Sequence, residues 1–216
     1  MIPSVCPQDV PQSVWLQHAL DAMVNNTEKH ITFLNPDSRE TARDLIKIAT
    51  IIVGGKEELQ KKPIISGGGQ LSSPLQCTSG VAETLIEFAK QGMPVTIGSV
   101  PLSGATSPVT LAGTLVQMSA EILSGIVLVQ LVRPGNPIIC GSVAPCIIDM
   151  RTGNVSIGCP EKAIIGSAFV QLTKYYGLPN LMDGLSPDSK FNDIQAGYEK
   201  ATSALVLALS GADVIM

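Results

Sequence analysis

Histidine and aromatic residues are scarce in this sequence. Its 216 residues contain two histidines, His18 and His30, and aromatic residues make up 4% of the chain. Serine and cysteine hydrolases usually activate their nucleophile with a histidine base, and no convincing Ser/His/Asp arrangement can be built around these two. The low aromatic content also argues against a cation site built wholly from aromatic rings.

Charge is sparse as well. Charged residues make up 15% of the chain, below the usual quarter, and the net charge is −4. Lys61 and Lys62 are the only adjacent basic residues, so the sequence offers no basic patch and nucleic acid is excluded as a partner. Few charges fit a fold whose strands are covered on both faces, or a piece of a larger assembly.

The cysteine pattern indicates reduced thiols rather than disulfides or a metal site. The five cysteines are Cys6, Cys77, Cys140, Cys146 and Cys159. Their number is odd, no CxxC pair occurs, and a zinc site would need clustered ligands. With no basic segment followed by an apolar core near the start, we expect a cytoplasmic protein that binds no metal.

One long apolar run, 109–132, is long enough to cross a bilayer. Gln117, Glu121 and Gln130 interrupt it, and a carboxylate is costly inside a membrane. We therefore predict a buried helix of a barrel wall and no membrane contact.

Short β-branched runs alternate with longer helical stretches along the whole chain. We predict seven strands, at 1–5, 30–34, 63–66, 94–100, 137–143, 178–182 and 212–216. The helices between them are predicted at 10–26, 38–53, 80–90, 109–132, 161–176 and 192–209. This alternation is typical of parallel βαβ units.

Two parallel architectures compete, a closed barrel and an open doubly wound sheet. An open nucleotide-binding sheet usually has a glycine-rich turn after its first strand, and the first turn here, CPQDVPQS, has no glycine. We predict an α/β fold, an incomplete (β/α)8 TIM barrel with about seven strands. Residues 1–216 are expected to form a single domain that lacks an N-terminal region and the last helix-strand-helix.

Four polar or glycine-rich segments follow the predicted strands, where a barrel carries its reactive groups. Gly67–Gly69 is interpreted as a tight turn, with an anion cradle as the alternative. The hydroxyls in 72–74 and 106–108 either cap helices or contact a substrate. The loop 183–190 (DGLSPDSK) is either a solvated loop or an acid/base or cation-binding site.

Several segments together resemble the trimethylamine:corrinoid methyltransferase family. They are SSPL (72–75), the long block 102–135, GCPE (158–161), YYGLP (175–179), DIQAGYEK (193–200) and ALSGAD (208–213). They occur in family order over nearly the whole chain. The resemblance implies a (β/α)8 barrel that moves a methyl group from a methylated amine to the cobalt of a separate corrinoid protein.

The resemblance also implies partners and site residues. The corrinoid (cobalamin) belongs to the partner protein, and this chain lacks the DxHxxG pattern that would hold one, so we expect no directly bound cofactor. Methyl transfer needs in-line positioning and a nitrogen that leaves easily, and a positive charge on nitrogen helps it leave. We also expect a homo-oligomer. The residues expected to bind the small amine are Asp183, Phe191, Gln195, Tyr198, Ser103, Ser107 and Gln70.

The chain departs from the family at one informative place. Trimethylamine-specific relatives carry pyrrolysine in the loop after the sixth strand, and that position falls here on Leu185, or on Gly184 if the loop has one extra residue. The expected catalytic residues are Gly184, Leu185, Asp188 and Lys190. Because neither candidate forms the adduct attributed to pyrrolysine, we expect a quaternary amine such as glycine betaine rather than trimethylamine. The alternative is a truncated, non-catalytic barrel that binds a small cationic ligand.

Overall fold

Strands and helices alternate throughout the computed structural model, which describes residues 7–142 and 145–216. The strands are β1 (Ile31–Leu34), β2 (Ile65–Leu71), β3 (Val95–Ser99), β4 (Leu102–Ser103), β5 (Ile138–Ser142), β6 (Cys146–Ile148), β7 (Val155–Ser156), β8 (Asn180–Met182) and β9 (Val214–Ile215). The helices are α1 (Trp15–Asn26), α2 (Arg39–Val53), α3 (Lys56–Lys61), α4 (Ser79–Lys90), α5 (Leu111–Val132), α6 (Pro160–Tyr175) and α7 (Ile194–Ser210). A short 3₁₀ turn, Gln12–Val14, precedes α1.

Six strands form the main sheet, in the order β1-β2-β3-β5-β8-β9. The pairs β1–β2, β5–β8 and β8–β9 are parallel. Six of the seven predicted strands are therefore confirmed, and the first, at 1–5, lies outside the described residues. The chain has an α/β fold with a parallel sheet, as the alternation of elements predicts.

A second, three-stranded sheet was not predicted. Its order is β4-β6-β7, with β4 parallel to β6 and β6 antiparallel to β7. These strands are only two or three residues long and lie within segments that read as loops, so no periodicity marks them. The six-residue helix α3 was missed for the same reason.

The interpretation of Gly67–Gly69 as a turn was wrong, because all three glycines lie inside β2. A Cβ on Gly67 would lie 2.6 Å from Cγ of Phe88, and a Cβ on Gly69 would lie 2.7 Å from Cγ1 of Val81. Both neighbours belong to α4. The glycines therefore allow this helix to pack closely against the strand.

The helix ends follow ordinary capping chemistry. The Ser38 hydroxyl accepts a hydrogen bond from the Thr41 amide at 3.2 Å and so caps α2. The capping role considered for the hydroxyls in 72–74 was wrong, because α4 begins at Ser79 and Thr78 caps it. Likewise, Thr106 accepts from the Leu102 amide at 2.9 Å instead of capping α5.

The chain divides into two compact units. Unit 1 comprises the described residues up to 69 together with 77–96 and 125–138. Its α2 and α4 bury Leu45, Ala49, Leu85 and Phe88. The Glu87 carboxylate accepts from Arg43 at 2.9 Å, and Lys90 lies 3.3 Å from the same group.

Unit 2 comprises 70–76, 97–124 and 139–216. Its helices α6 and α7 approach closely at Gly166, whose Cβ would lie 2.9 Å from Cδ2 of Leu207. Phe169, Val170 and Leu181 are buried in the same unit. This packing supports the loop that leaves β8.

The helix α5 is long and apolar enough to cross a membrane. A single helix of this kind is weak evidence that a protein spans a membrane. The expected burial was only partly right. Val116, Val127 and Leu131 are exposed, whereas Met118, Ile122 and Val129 are buried. Glu121, in the middle of the helix, is also buried.

Candidate functional site

The loop 183–190, in unit 2, begins with a buried ion pair. The Lys162 ammonium donates to Oδ2 of Asp183 at 2.7 Å, and the side chains are 3% and 9% exposed. Lys162 lies in the first turn of α6, and Asp183 directly follows β8. The Ser186 hydroxyl donates to both Asp183 oxygens at 2.9 and 3.0 Å. The carboxylate that opens the loop is therefore already neutralised by a cation.

The far end of the same loop is held by a second carboxylate. Oδ1 of Asp188 accepts from the Ile157 amide at 2.7 Å. The Asp188 amide in turn donates to Glu199 at 2.7 Å, and Gln195 donates to the same Glu199 carboxylate at 2.8 Å. The hydrogen bond from Gln195 is the largest cause of the lowered pKa of Glu199. Asp188 and Gln195 thus fix the position of the loop.

Gly158, in the GCPE segment, allows this close approach. A Cβ at Gly158 would lie 2.5 Å from Cδ of Glu199 and 2.9 Å from the Asp188 amide nitrogen. Any larger residue would push the loop away from α7. The segment that carries the family resemblance therefore has a structural reason to contain glycine here.

Gly184 and Leu185 are consecutive residues near the start of the loop, but Gly184 is buried and only Leu185 has room for a side chain. A Cβ at Gly184 would lie 2.7 Å from Cδ1 of Leu207 and 3.0 Å from Cγ2 of Ile215. The Gly184 carbonyl also accepts from the buried Ser203 hydroxyl. Leu185, by contrast, is 46% exposed. A long side chain can be displayed at 185 and not at 184.

Gln70 lies near the carboxyl end of β2. Its side-chain Nε2 and Oε1 are buried and have no hydrogen-bond partner in the part of the chain that the structure describes. The amide lies against Gly98 of β3, where a Cβ would collide with Oε1. Leaving a buried amide unpaired costs stability, so this side chain is suited to bind an external group.

Glu121 organises the loop that follows Gln70. The carboxylate is 2% exposed and accepts from the Ser73 hydroxyl at 2.8 Å, the Leu75 amide at 2.8 Å and Gln117 at 3.0 Å. The Ser99 hydroxyl, at the end of β3, donates to it as well. All four donors are neutral. The result is a buried carboxylate that connects α5 to the end of β3 and to the loop that follows β2.

Ser103 and Ser107 converge on one threonine of α5. The Ser103 hydroxyl lies 2.6 Å from Oγ1 of Thr114, and the Ser107 hydroxyl lies 3.0 Å from it. Thr114 donates to the Pro108 carbonyl at 2.8 Å. Within the described residues, these hydroxyls therefore bind each other, and their expected contact with substrate stays a prediction.

The remaining expected residues lie on the surface of unit 2. Phe191 is 80% exposed, Tyr198 is 70% exposed, and Lys190 is exposed. The structure does not bring these side chains into an enclosed site. Their expected roles stay predictions.

Cys146, on β6, lies within electrostatic range of the Lys162–Asp183 pair. Burial raises the pKa of its thiol to about 12, Lys162 opposes this increase, and Asp183 adds to it. The thiol is neutral at physiological pH and has no nucleophilic character there.

Sequence reasoning missed Lys162, Glu121, Ser73 and Ser99 as parts of polar clusters. Lys162 directly follows GCPE, and Ser73 lies in SSPL, so the resembling segments were a signal for both. Glu121 was noted only as an interruption of an apolar run. A single carboxylate within an apolar run is usually buried with hydrogen-bond donors around it. Its position in the run could therefore have indicated the polar cluster.

A sequence model of the family described as trimethylamine methyltransferase (MTTB) matches residues 2–216. The chain belongs to this family. It is 38% identical over 211 residues to trimethylamine methyltransferase MttB of Desulfitobacterium hafniense strain DCB-2. The alignment covers 98% of this chain and 42% of that protein. It is 37% identical over 211 residues to glycine betaine methyltransferase of D. hafniense strain Y51, with 97% and 43% covered.

A third relative, trimethylamine methyltransferase MttB of Methanosarcina barkeri strain Fusaro, is 41% identical over 194 residues, with 89% of this chain and 39% of that protein covered. The chain thus spans about two fifths of the length of these relatives.

Among solved structures, a putative α-L-fucosidase from Bacteroides thetaiotaomicron has a similar fold, with a TM-score of 0.51 and 15% identity over 96% of this chain and 65% of that one.

Proposed function

We propose that the protein takes part in transferring a methyl group from a quaternary methylated amine, such as glycine betaine, to the cobalt of a separate corrinoid protein. The observation that carries the proposal is the family match over residues 2–216, together with relatives named for trimethylamine and glycine betaine. We further propose that the parallel sheet belongs to a (β/α)8 barrel, whose reactive groups lie at the carboxyl ends of its strands.

The proposed reaction is a direct displacement at carbon. The C–N bond breaks, the nitrogen keeps the electron pair, and a neutral tertiary amine leaves. The reduced cobalt of the partner supplies the electron pair for the new bond, so no proton has to move. The work of this chain is then to bind and orient the amine.

We propose that the loop 183–190 shapes the site in which the amine is held. Its first carboxylate, Asp183, is bound to Lys162, and its second, Asp188, is bound to the Ile157 amide. Asp188 is a positioning residue in this proposal, and Leu185 is the side chain that the loop displays. Lys190, Phe191 and Tyr198 contribute further contacts to the amine in this proposal.

The preference for a quaternary amine depends on Leu185. Gly184 has no room for a side chain, so 185 is the position at which a pyrrolysine could be displayed. A leucine there forms no covalent adduct with an amine. A quaternary nitrogen needs no such adduct to become a leaving group, because it already carries a positive charge.

The test is methyl transfer by the full-length protein that contains this chain. Reduced cobalamin is supplied as acceptor, and methylcob(III)alamin is measured with glycine betaine, tetramethylammonium or trimethylamine as donor. We expect product with a quaternary donor and none with trimethylamine. Absence of product with every quaternary donor would reject the proposal and favour a non-catalytic barrel that binds a small cation.

A further inference from the structure

A cleft opens in unit 1 beside the carboxyl end of β1. It contains about 320 Å³ of empty space that is partly open to solvent. Trp15 and Gln17 contribute from α1, and Asn35 and Asp37 contribute from the segment that follows β1. None of these four side chains was assigned to the methyl-transfer site above.

The charge of the cleft favours a cation. Among the lining residues that the structure describes, Asp37 is the one charged side chain, and no lysine or arginine lines the space. The amides of Gln17 and Asn35 add carbonyl oxygens. A negatively charged or acceptor-rich ligand would find no basic partner here.

Gln17 supplies an independent indication of a ligand. Its Oε1 is buried and has no hydrogen-bond partner in the part of the chain that the structure describes. A buried acceptor left without a partner costs free energy, and such atoms are few in native proteins. Because this amide lines the cleft, its oxygen dipole can interact electrostatically with the positive charge of a bound cation, and no hydrogen bond is required for that contact.

Trp15 suits the same class of ligand. Indole has the most favourable aromatic face for a cation, and quaternary ammonium groups are commonly recognised by aromatic rings. A methylated ammonium spreads its charge over its methyl groups and has no N–H to satisfy. The aromatic wall favours this ligand over a metal ion, because a metal ion would need several oxygen ligands where the ring lies.

We propose that this cleft binds a small quaternary ammonium cation, with Trp15, Gln17 and Asp37 as its recognition residues. The choice of ligand class rests on the proposed function. The cleft places the cationic group at the end of the sheet where a barrel carries its substrates.

The experiment uses isothermal titration calorimetry on the full-length protein that contains this chain. Tetramethylammonium chloride is titrated into the protein, with sodium chloride at equal concentration as the salt control. We expect saturable binding heat with tetramethylammonium only. Asp37→Asn and Gln17→Leu should each raise the Kd roughly two- to thirtyfold, the range of cation–π and polar contacts at partly exposed sites.

The matched control is Asp44→Asn, which removes the same charge from α2 outside the cleft lining. Its Kd should equal that of the wild type. The inference is overturned if tetramethylammonium behaves like sodium, or if Asp44→Asn weakens binding as much as Asp37→Asn. In either case the cleft is only a surface depression.

Methyl transfer separates this inference from the proposed function. If the full-length protein transfers a methyl group and its Asp37→Asn variant has an unchanged KM for glycine betaine, the proposed function stands and the cleft is not the substrate site. If tetramethylammonium binds in an Asp37-dependent way while no donor yields methylcob(III)alamin, the cation site stands and the proposed function fails.

Discussion

Lys162 and Asp183 form a buried ion pair, with the Lys162 ammonium nitrogen 2.7 Å from the Asp183 carboxylate. The pair connects the first turn of α6 to the residue after β8. It therefore fixes the start of the loop 183–190. It also neutralises the carboxylate of Asp183, which is then not available to bind a substrate cation. A free carboxylate for such a cation has to come from elsewhere in the chain.

Removing one partner of this pair should be costly. Asp183→Asn or Lys162→Met leaves an unpaired buried charge or polar group, and we expect a loss of about 3–5 kcal/mol in the free energy of unfolding. Urea denaturation measures the loss. The exposed pair Lys61–Glu58 provides the control, where Glu58→Gln should cost less than about 1 kcal/mol. Equal losses at both sites would contradict the structure.

Glu121 should hold the loop 72–76 in place. Glu121→Ala removes the acceptor of the Ser73 hydroxyl and the Leu75 amide, and we expect a loss of about 1–3 kcal/mol in the free energy of unfolding. Hydrogen exchange should show faster exchange in 72–76. Glu28→Ala, at an exposed position between α1 and β1, should change neither quantity. Unchanged exchange in 72–76 would show that Glu121 does not order the loop.

Gly184 and Leu185 should respond in opposite ways to substitution. Gly184→Ala places a methyl group 2.7 Å from Leu207, so the melting temperature should fall. Leu185→Arg adds bulk and charge at an exposed position, so the melting temperature should stay nearly unchanged while methyl transfer is abolished. Calorimetry and the methylcob(III)alamin assay measure the two effects. A wild-type rate for Leu185→Arg would mean that the loop is a spectator.

Gln70 should bind the amine substrate through its unpaired side-chain amide. Gln70→Leu removes the amide, and Gly98→Ala displaces it, because the new Cβ collides with Oε1. In the full-length protein, both changes should raise the KM for glycine betaine about tenfold or more, the effect of losing a hydrogen bond to a charged group. Gln171→Leu, at an exposed position of α6, is the control. If only Gly98→Ala has an effect, the cause is a disturbed strand rather than the lost amide.

Glu87 should make the stability of the protein depend on pH. The hydrogen bond from Arg43 is the largest cause that lowers the pKa of Glu87 below its ordinary value of 4.5. A carboxyl group with a lower pKa in the folded state stabilises the protein above its unfolded pKa. This contribution is lost as the pH falls through the folded pKa. Between about pH 6 and pH 3, Glu87→Gln should weaken the pH dependence of the unfolding free energy, and the exposed Glu58→Gln should not.

Most of the regular elements could be predicted from the sequence, because each has a local cause. Ser38 caps α2, Gly211 ends α7, and the β-branched runs mark the main strands. The glycines 67–69 were misread because their reason lies in another element: Phe88 and Val81 of α4 need the space that a side chain would occupy. The two- and three-residue strands β4, β6 and β7 show no period at all.

The candidate site divides in the same way. The loop 183–190 could be located from its composition and from the family resemblance, but its internal contacts could not. Asp183 and Asp188 look equivalent in the sequence. In the structure, Asp183 accepts from the Lys162 ammonium, whereas Asp188 accepts from the Ile157 amide. Gln117 and Glu121 look like interruptions of an apolar helix, and they are parts of a polar cluster.

The sequence by itself determined the α/β alternation and the family, because strand and helix periods and a set of ordered motifs are properties of the chain. Only the tertiary structure decided which polar groups are neutralised, which remain unpaired and which position can display a side chain. Those properties depend on the partners that distant segments bring together. Lys162 reaches Asp183 across 21 residues, and Leu207 excludes a side chain at Gly184.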